Sequence, residues 1–190
     1  MSILDATPVT LAEMRSFLNI TESTDTGQDA VLENLLDDLT VAIEDHLGVS
    51  IINKAYTDYY DGDGSIELLV KRYPIVTVTS LTVDSTTIAA ASYHLYAEQG
   101  RIVADGFDFT GDYRNVVLVY TAGFGAARTN VPRSIKLALK LWVSVVFKKH
   151  VAMINPRFAE GVTVNFTSED MPDDVAKKLT PYRIARFIGV

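Results

Sequence analysis

The spacing of apolar residues changes twice along this chain, and that change restricts the fold more than any other feature. Over residues 29–47 apolar side chains recur every three or four positions, which is the period of an amphipathic helix. Over residues 55–122 short β-branched and aromatic runs alternate with Gly, Asp and Ser clusters, as in antiparallel strands and turns. From Pro132 the helical period returns. The pattern predicts an α+β fold, a helical bundle of two long and several short helices with an inserted small antiparallel β unit.

Local signals place the ends of these elements. Thr10 and Glu13 form a capping-box pattern, which predicts the start of a short helix. Pro132 suits the first turn of a long helix, because that position needs no backbone N–H donor. Asp61-Gly-Asp-Gly64 predicts a hairpin turn between two strands. We expect a connected core over residues 1–150, with helices over 10–18, 29–47 and 132–150 and a β insertion over 55–122, and then an extended arm, C-terminal helix and tail over 151–190.

The segment YTAGFGAARTNVPRSIKLALKLW, residues 120–142, has two glycines one residue apart before a helix. A dinucleotide-binding turn needs a third glycine where this chain has Arg128, and the sequence contains no Walker phosphate-binding motif. The basic residues of this region are Arg128, Arg133, Lys136 and Lys140, which form no nucleic-acid-binding motif. The sequence pI of about 4.9 also argues against binding of free DNA. We expect these side chains to be solvated or to meet an acidic face of another copy.

Catalytic and metal-binding patterns are missing from the sequence. The chain has no Cys, and its three histidines, His46, His94 and His150, belong to no nucleophile-elbow or zinc-protease motif. Asp61, Asp63, Ser65 and Glu67 offer oxygen atoms at alternating positions, but their spacing differs from that of an EF-hand loop. A polar turn accounts for them better. The sequence predicts no catalytic residue, no cofactor or cofactor-binding residue, and no metal ligand.

Charge is divided unevenly along the chain. Residues 1–70 carry fourteen Asp and Glu against two basic residues, whereas the remaining residues carry ten acids against fifteen Lys and Arg. Such a division favours acidic and basic surfaces that meet between copies of the chain, although a solvated acidic helix beside a mixed domain explains it equally well. In the first long helix, Glu33, Asp37 and Glu44 fall on one side with no Lys or Arg to pair them.

Membrane association is not expected. The longest apolar stretch, residues 137–147, is shorter than the ~20 residues that a bilayer span needs, and Lys140 and Ser144 interrupt it. The first ten residues have no basic segment leading into an apolar run, so we expect no signal peptide.

Seven segments in a fixed order carry a resemblance to a known family. They are VTLAEMRSFLNI, QDAVLENLLDDLTVAIEDHLG, RYPIVTVTSLTVD, YHLYAEQGRI, VVLVYTAGFG, VPRSIKLALKLW and MPDDVAKKLTPYR, and together they span nearly the whole chain. In this order the chain resembles the head–tail connector (adaptor) proteins of long-tailed bacteriophages and related gene transfer agents.

The resemblance implies a structural virion protein without catalysis. Family members form a ring, twelve-fold in the virion, between the portal protein and the stopper or tail proteins, and genomic DNA passes through the lumen without sequence-specific binding. The expected location is the head–tail junction, after assembly in the host cytoplasm. On this chain, Glu33, Asp37 and Glu44 are then candidates for an acidic face of the DNA channel. Arg183, Arg186 and Phe187, which combine charge with an aromatic side chain, are candidates for contact with the portal.

Two alternatives remain at the level of sequence. Another neck or tail-completion protein, such as a stopper, shares the same lack of catalytic motifs. A small hydrolase or carbohydrate-binding domain is the alternative from a different class, with His94, Tyr96 and Asp112 of the β insertion as its site residues.

Overall fold

A computed structural model describes residues 7–20, 26–154 and 171–184. The chain divides into two compact units. The helical unit comprises Met1–Leu47 and Ala127–Arg183, and the β unit comprises Gly48–Ala126 and Ile184–Val190.

Four α-helices form the described part of the helical unit. They are α1 (Leu11–Leu18), α2 (Thr26–Leu47), α3 (Arg133–Ile154) and α4 (Asp173–Leu179). Helix α3 lies against α1, α2 and α4, and α1 also lies against α2. No helix in the described ranges is both long and apolar enough to cross a membrane.

The start of α1 is fixed by polar contacts that its sequence supplies. The Thr10 hydroxyl accepts a hydrogen bond from the Glu13 backbone N–H at 3.1 Å, and the Glu13 carboxylate accepts one from the Thr10 N–H at 3.1 Å. Two backbone donors that the helix start leaves unpaired are thereby satisfied. Arg15 then donates two hydrogen bonds, of 2.6 and 2.7 Å, to the carboxylate of Asp29 on α2. This paired geometry holds α1 against α2 more specifically than a single contact does.

The apolar stripes of the helices form the core of this unit. Its buried side chains on α2 are Leu32, Leu36, Ile43 and Leu47; on α3 they are Ile135, Ala138, Leu139, Trp142, Val143 and Phe147; and on α1 and α4 they are Met14, Val175 and Leu179. Their three-to-four-residue spacing brings them to one side of each helix, where burial removes them from water.

The described part of the β unit contains seven strands. They are β1 (Lys54–Tyr60), β2 (Glu67–Leu69), β3 (Ile75–Val83), β4 (Thr86–Ile88), β5 (Tyr93–Tyr96), β6 (Arg101–Ala104) and β7 (Val116–Ala122). One sheet has the order β1-β7-β3-β4 and the other has the order β2-β6-β5. All strand pairs in both sheets are antiparallel.

Strand β7 is the centre of the larger sheet. It pairs with β1 on one side, where Tyr56 lies opposite Tyr120, and with β3 on the other, where Val83 lies opposite Val116. Alternate residues of β7, namely Val116, Leu118, Tyr120 and Ala122, are buried. The period of two therefore directs one face of this strand into the core.

A polar cluster lies on the larger sheet beside this core. Arg72 donates to both carboxylate oxygens of Asp58, at 2.6 and 2.5 Å, and its guanidinium lies 4.6 Å from the centre of the Tyr56 ring. The Tyr120 hydroxyl donates to the same carboxylate at 2.7 Å. Burial raises the pKa of Tyr120, and the hydrogen bond to Asp58 raises it further, so this hydroxyl remains a donor at neutral pH. Residues from β1, β7 and the segment before β3 are thus tied together.

The predicted fold class is wrong because it treats the β part as a small insertion in a helical bundle. The chain is not a helical bundle with a small β insertion, because the strands form two sheets of four and three strands with their own buried residues. Each strand has three to nine residues, so no single run in the sequence indicates a large sheet. Their assembly depends on pairs far apart in the chain, such as β1 with β7, and local periodicity carries no information on such pairs.

The predicted hairpin around Asp61-Gly-Asp-Gly64 is also wrong. Strand β1 pairs with β7 and β2 pairs with β6, so the two strands flanking this turn lie in different sheets. The turn instead bonds to residues that precede β7. The Gly62 N–H donates to the Asp112 carbonyl at 3.0 Å, and the Gly64 N–H donates to the Phe109 carbonyl at 2.7 Å.

We predict that Asp58→Ala destabilises the chain by about 2–3 kcal/mol, because it leaves the partly buried Arg72 without its carboxylate. The matched control is Glu67→Ala, which removes an exposed ion pair with Arg101 at 3.0 Å and should cost no more than about 1 kcal/mol. Urea unfolding of both variants measures the difference. Equal losses in the two variants would contradict a special role for the Asp58 cluster.

Candidate functional site

The acidic residues predicted to line a channel lie on one flank of α2. Glu33, Asp37 and Glu44 are all half-buried, so none of them stands on the most exposed side of the helix. Helix α2 contains no Lys or Arg to neutralise them.

Asp37 has the least favourable environment for a charged side chain in this group. Its Oδ1 atom is buried without a hydrogen-bond partner in the described residues. Burial raises the pKa of Asp37, and the negative charges of Asp38 and Glu33 raise it further. Ionisation of this carboxylate is therefore less favourable than it is in water.

The exposed side of α2 is also acidic, and the sequence alone does not distinguish it from the half-buried flank. We call it the outer acidic face, and its residues are Asn34, Asp38, Val41 and Asp45. They follow one another at intervals of four, three and four positions, which places them along one side of the helix. Val41 is 56% exposed, which is high for an apolar side chain on a helix. The spacing was available in the sequence, but half-buried and exposed positions could be told apart only in the structure.

Helix α3 presents a side of opposite charge. We call it the outer basic face, and its exposed residues are Arg133, Ser134, Leu137, Val145, Lys148 and Lys149. Helix α3 contains no Asp or Glu. Leu137 and Val145 are 40% and 38% exposed, so this face is apolar as well as basic.

The basic residues that the sequence places near the glycine pair have separate roles. Arg128 donates a hydrogen bond from Nε to the Thr7 carbonyl at 2.7 Å and so fixes the chain before α1. Lys136 and Lys140 are half-buried, while Arg133 is exposed. Only Arg133 of this set belongs to the outer basic face.

The glycine pair serves backbone packing in the β unit. Gly123 donates from its N–H to the Pro74 carbonyl at 3.1 Å, and the Gly125 carbonyl accepts from the Asn53 N–H at 2.9 Å. A Cβ atom at position 123 would lie 2.7 Å from the Asn53 Cα, so a side chain there would block the approach of these segments. Close packing of the backbone at the end of β7 thus explains both glycines, and no phosphate-binding role is needed to explain them.

The acidic turn borders a groove of about 580 Å³ in the β unit. Its carboxylates already accept hydrogen bonds from the protein. Asp61 accepts from the Arg114 N–H at 2.7 Å, Asp63 accepts from the Ser65 N–H at 2.8 Å, and Glu67 accepts from Arg101. Hydrogen bonds from Ser65 lower the pKa of Asp63. No group of three or more candidate metal ligands occurs in the part of the chain that the structure describes.

Each residue of the enzyme or lectin alternative makes its described contacts with a different partner. The nearest approach of His94 to a carboxylate is 4.0 Å, from Nε2 to Asp105, and both side chains are mostly exposed. Tyr96 lies under the Arg101 guanidinium at 4.3 Å from the ring centre. Asp112 accepts from the Tyr113 N–H at 2.7 Å. Within the described ranges, no hydrogen bond or ion pair links Asp112 to His94 or Tyr96.

Of the three residues predicted to contact the portal, the structure describes one. Arg183 is exposed, and Arg186 and Phe187 lie outside the described residues. Burial lowers the pKa of His46 at the end of α2, and the positive charge of Arg183 lowers it further. The neighbouring Ile184 is buried at 6% exposure, so the chain is anchored next to Arg183.

The family model described as Head completion protein matches residues 8–185, which is nearly the whole chain. No curated protein matches it. Among solved structures, a chain from "Neck of empty GTA particle computed with C6 symmetry" has a TM-score of 0.67 at 22% identity, covering 100% of this chain and 96% of that chain.

Two further chains share the fold. One, from "Virion of native gene transfer agent (GTA) particle", has a TM-score of 0.66 at 24% identity, covering 96% of this chain and 93% of that chain. The other, from "Neck of native GTA particle computed with C12 symmetry", has a TM-score of 0.63 at 22% identity, covering 97% and 92%. The family match confirms the resemblance to head–tail connectors and the expectation of a structural virion protein.

We predict that Asp37→Asn stabilises the chain at pH 7. The pKa of Asp37 is raised by folding, so the folded state binds its proton more tightly than the unfolded state, and stability is lost as pH rises above 3.8, the ordinary value for this group. Removing the like-charge pair with Glu33 alone should recover about 0.2–0.5 kcal/mol.

Urea unfolding at pH 7 and again below that ordinary pKa measures this effect, and the gain should vanish at the lower pH. Glu98→Gln is the control, because it removes an exposed acid from a turn of the β unit. A pH-independent gain, or a gain equal to that of the control, would show that the charge of Asp37 is not the cause.

Proposed function

The chain belongs to the head completion protein family, and we propose that it forms a ring adaptor in the neck of a virion. The ring stands between the portal protein and a stopper or tail protein. The observation that carries this proposal is the fold shared along almost the whole chain with neck chains of gene transfer agent particles. Those necks are computed with six-fold and twelve-fold symmetry, which supports a closed ring of identical copies, twelve-fold in the virion.

We also propose that DNA passes through the ring, and the charge of α2 supports this proposal. We assign Glu33, Asp37 and Glu44 to the channel side, where a negative surface repels DNA phosphates and prevents tight, sequence-independent binding. A genome can then slide through the lumen. The raised pKa of Asp37 and its unpaired Oδ1 atom support this assignment, because an acid that is kept at a cost to stability is expected where its charge serves a function.

The portal contact is assigned to the C-terminal tail, through Arg183, Arg186 and Phe187. Arg183 is exposed, and the next residue, Ile184, is buried, so the backbone that carries the Arg183 charge is held in place. Arginine and aromatic side chains are common among the residues that dominate binding energy.

The division into a core of residues 1–150 and an arm and tail of residues 151–190 stays part of the proposal. Helix α3 continues through this boundary to Ile154.

The proposed function is tested by mass photometry of the chain alone and mixed with its cognate portal. A ring-sized assembly in either sample supports the adaptor. A chain that remains a monomer in both samples contradicts it.

Neutralising the channel acids with Glu33→Gln, Asp37→Asn and Glu44→Gln should leave ring formation intact and slow DNA ejection, because phosphates then meet a less repulsive wall. Nuclease-protected DNA and ejection rates of particles carrying the variant measure the effect. A triple variant with Glu98→Gln, Asp105→Asn and Asp108→Asn makes the same charge change at exposed positions of the β unit. Unaltered DNA retention and ejection in the first variant would remove these residues from the channel.

Truncation of the tail tests the portal contact. Cutting after Thr180 would also delete the buried Ile184, so we choose a chain that ends at Ile184, combined with Arg183→Ala. We expect the same unfolding midpoint and at least about tenfold weaker portal binding, since loss of a hot-spot residue costs about 2 kcal/mol. Portal binding equal to that of the full chain would place the contact elsewhere.

A further inference from the structure

We propose that the outer acidic face of α2 in one copy binds the outer basic face of α3 in the next copy, and that this contact closes the ring. The inference rests on the proposed ring function and adds the surfaces through which neighbouring copies meet. Its occupant is a second copy of this chain.

The two faces are fully segregated by charge. Helix α2 carries six Asp and Glu and no Lys or Arg, and helix α3 carries five Lys and Arg and no Asp or Glu. Two long helices of one unit thus present opposite signs. Surfaces arranged in this way attract each other during encounter and disfavour pairing of like faces.

Three of the charged residues on these faces form no ion pair with another described residue. In the described ranges, no ion pair joins Asp38, Lys148 or Lys149 to any other side chain. All three are exposed. They are therefore accessible to another molecule.

Each face also offers apolar area at its centre. Val41 on α2 is 56% exposed, and Leu137 and Val145 on α3 are 40% and 38% exposed. These side chains lie between charged residues of their own helix, which matches the arrangement of an interface with an apolar centre and a polar rim. The apolar side chains supply surface area that is buried in the contact, while the charges determine which face of the neighbouring copy binds.

One acidic and one basic face on each copy give a head-to-tail contact. Such a contact differs from a two-fold dimer because it uses two distinct surfaces, and it closes into a ring when the rotation between copies divides a full turn. This is the kind of symmetry that the proposed adaptor requires.

The test uses two charge-reversed variants, each checked for folding by circular dichroism. Asp38→Lys with Asp45→Lys makes the α2 face basic, and Lys148→Glu with Lys149→Glu makes the α3 face acidic. Mass photometry then measures ring-sized particles of each variant alone, of an equimolar mixture, and of each sample with the cognate portal. Glu98→Lys with Asp108→Lys is a control with the same charge change as the first variant, at exposed positions of the β unit.

We expect each variant alone to assemble at least about tenfold more weakly than the natural chain, because like charges then face each other. The equimolar mixture should recover rings in which the two variants alternate, since every contact again joins opposite charges. An even number of copies, such as twelve, permits this alternation. The control should assemble as the natural chain does.

Other results overturn the interface in distinguishable ways. If both variants assemble normally, the ring stands and this interface is wrong. If the mixture forms dimers only, the faces meet in a two-fold contact instead. If a variant loses portal binding and the mixture does not recover assembly, the face binds the portal and not a second copy. A natural chain that never assembles overturns the proposed function and this inference together.

Discussion

The double pairing of β7 is the constraint on which the β unit depends. Without it, β1 would lose its pairing in this sheet and β3 would keep only its pairing with β4. The Asp58 carboxylate adds a polar tie, since it holds Arg72 and the hydroxyl of Tyr120 on β7. Gly123 then lets the chain leave the strand where the backbone of Asn53 comes close. The central strand, a partly buried ion pair and a glycine thus act together in the β unit.

The sequence was informative where structure is local. The helical period of residues 29–47 belongs to α2 alone, and the Thr10 and Glu13 pattern forms the capping contacts of α1. It failed where partners are distant. The turn at residues 61–64 looks like a hairpin by composition, yet its bonds go to residues 109 and 112, which no local pattern indicates.

The candidate site shows the same limit. Charge and spacing identify α2 as acidic, but they do not distinguish the half-buried flank with Glu33 and Asp37 from the exposed side with Asp38 and Asp45. The difference in burial distinguishes the flank from the exposed side, so the two sides of α2 can have different roles. The flank suits a channel wall, where repulsion of phosphate is useful, and the exposed side suits a neighbour with opposite charge. We therefore propose that the function depends on how charge is distributed over the packed helices.

We propose above all that copies of this chain close into a ring on a portal and leave an open, acidic channel. A cryo-electron microscopy reconstruction of the chain bound to its cognate portal tests it most directly. We expect a closed ring of identical copies, with Glu33, Asp37 and Glu44 facing the central channel. A complex with a single copy, an open arrangement, or these residues turned away from the channel would contradict it.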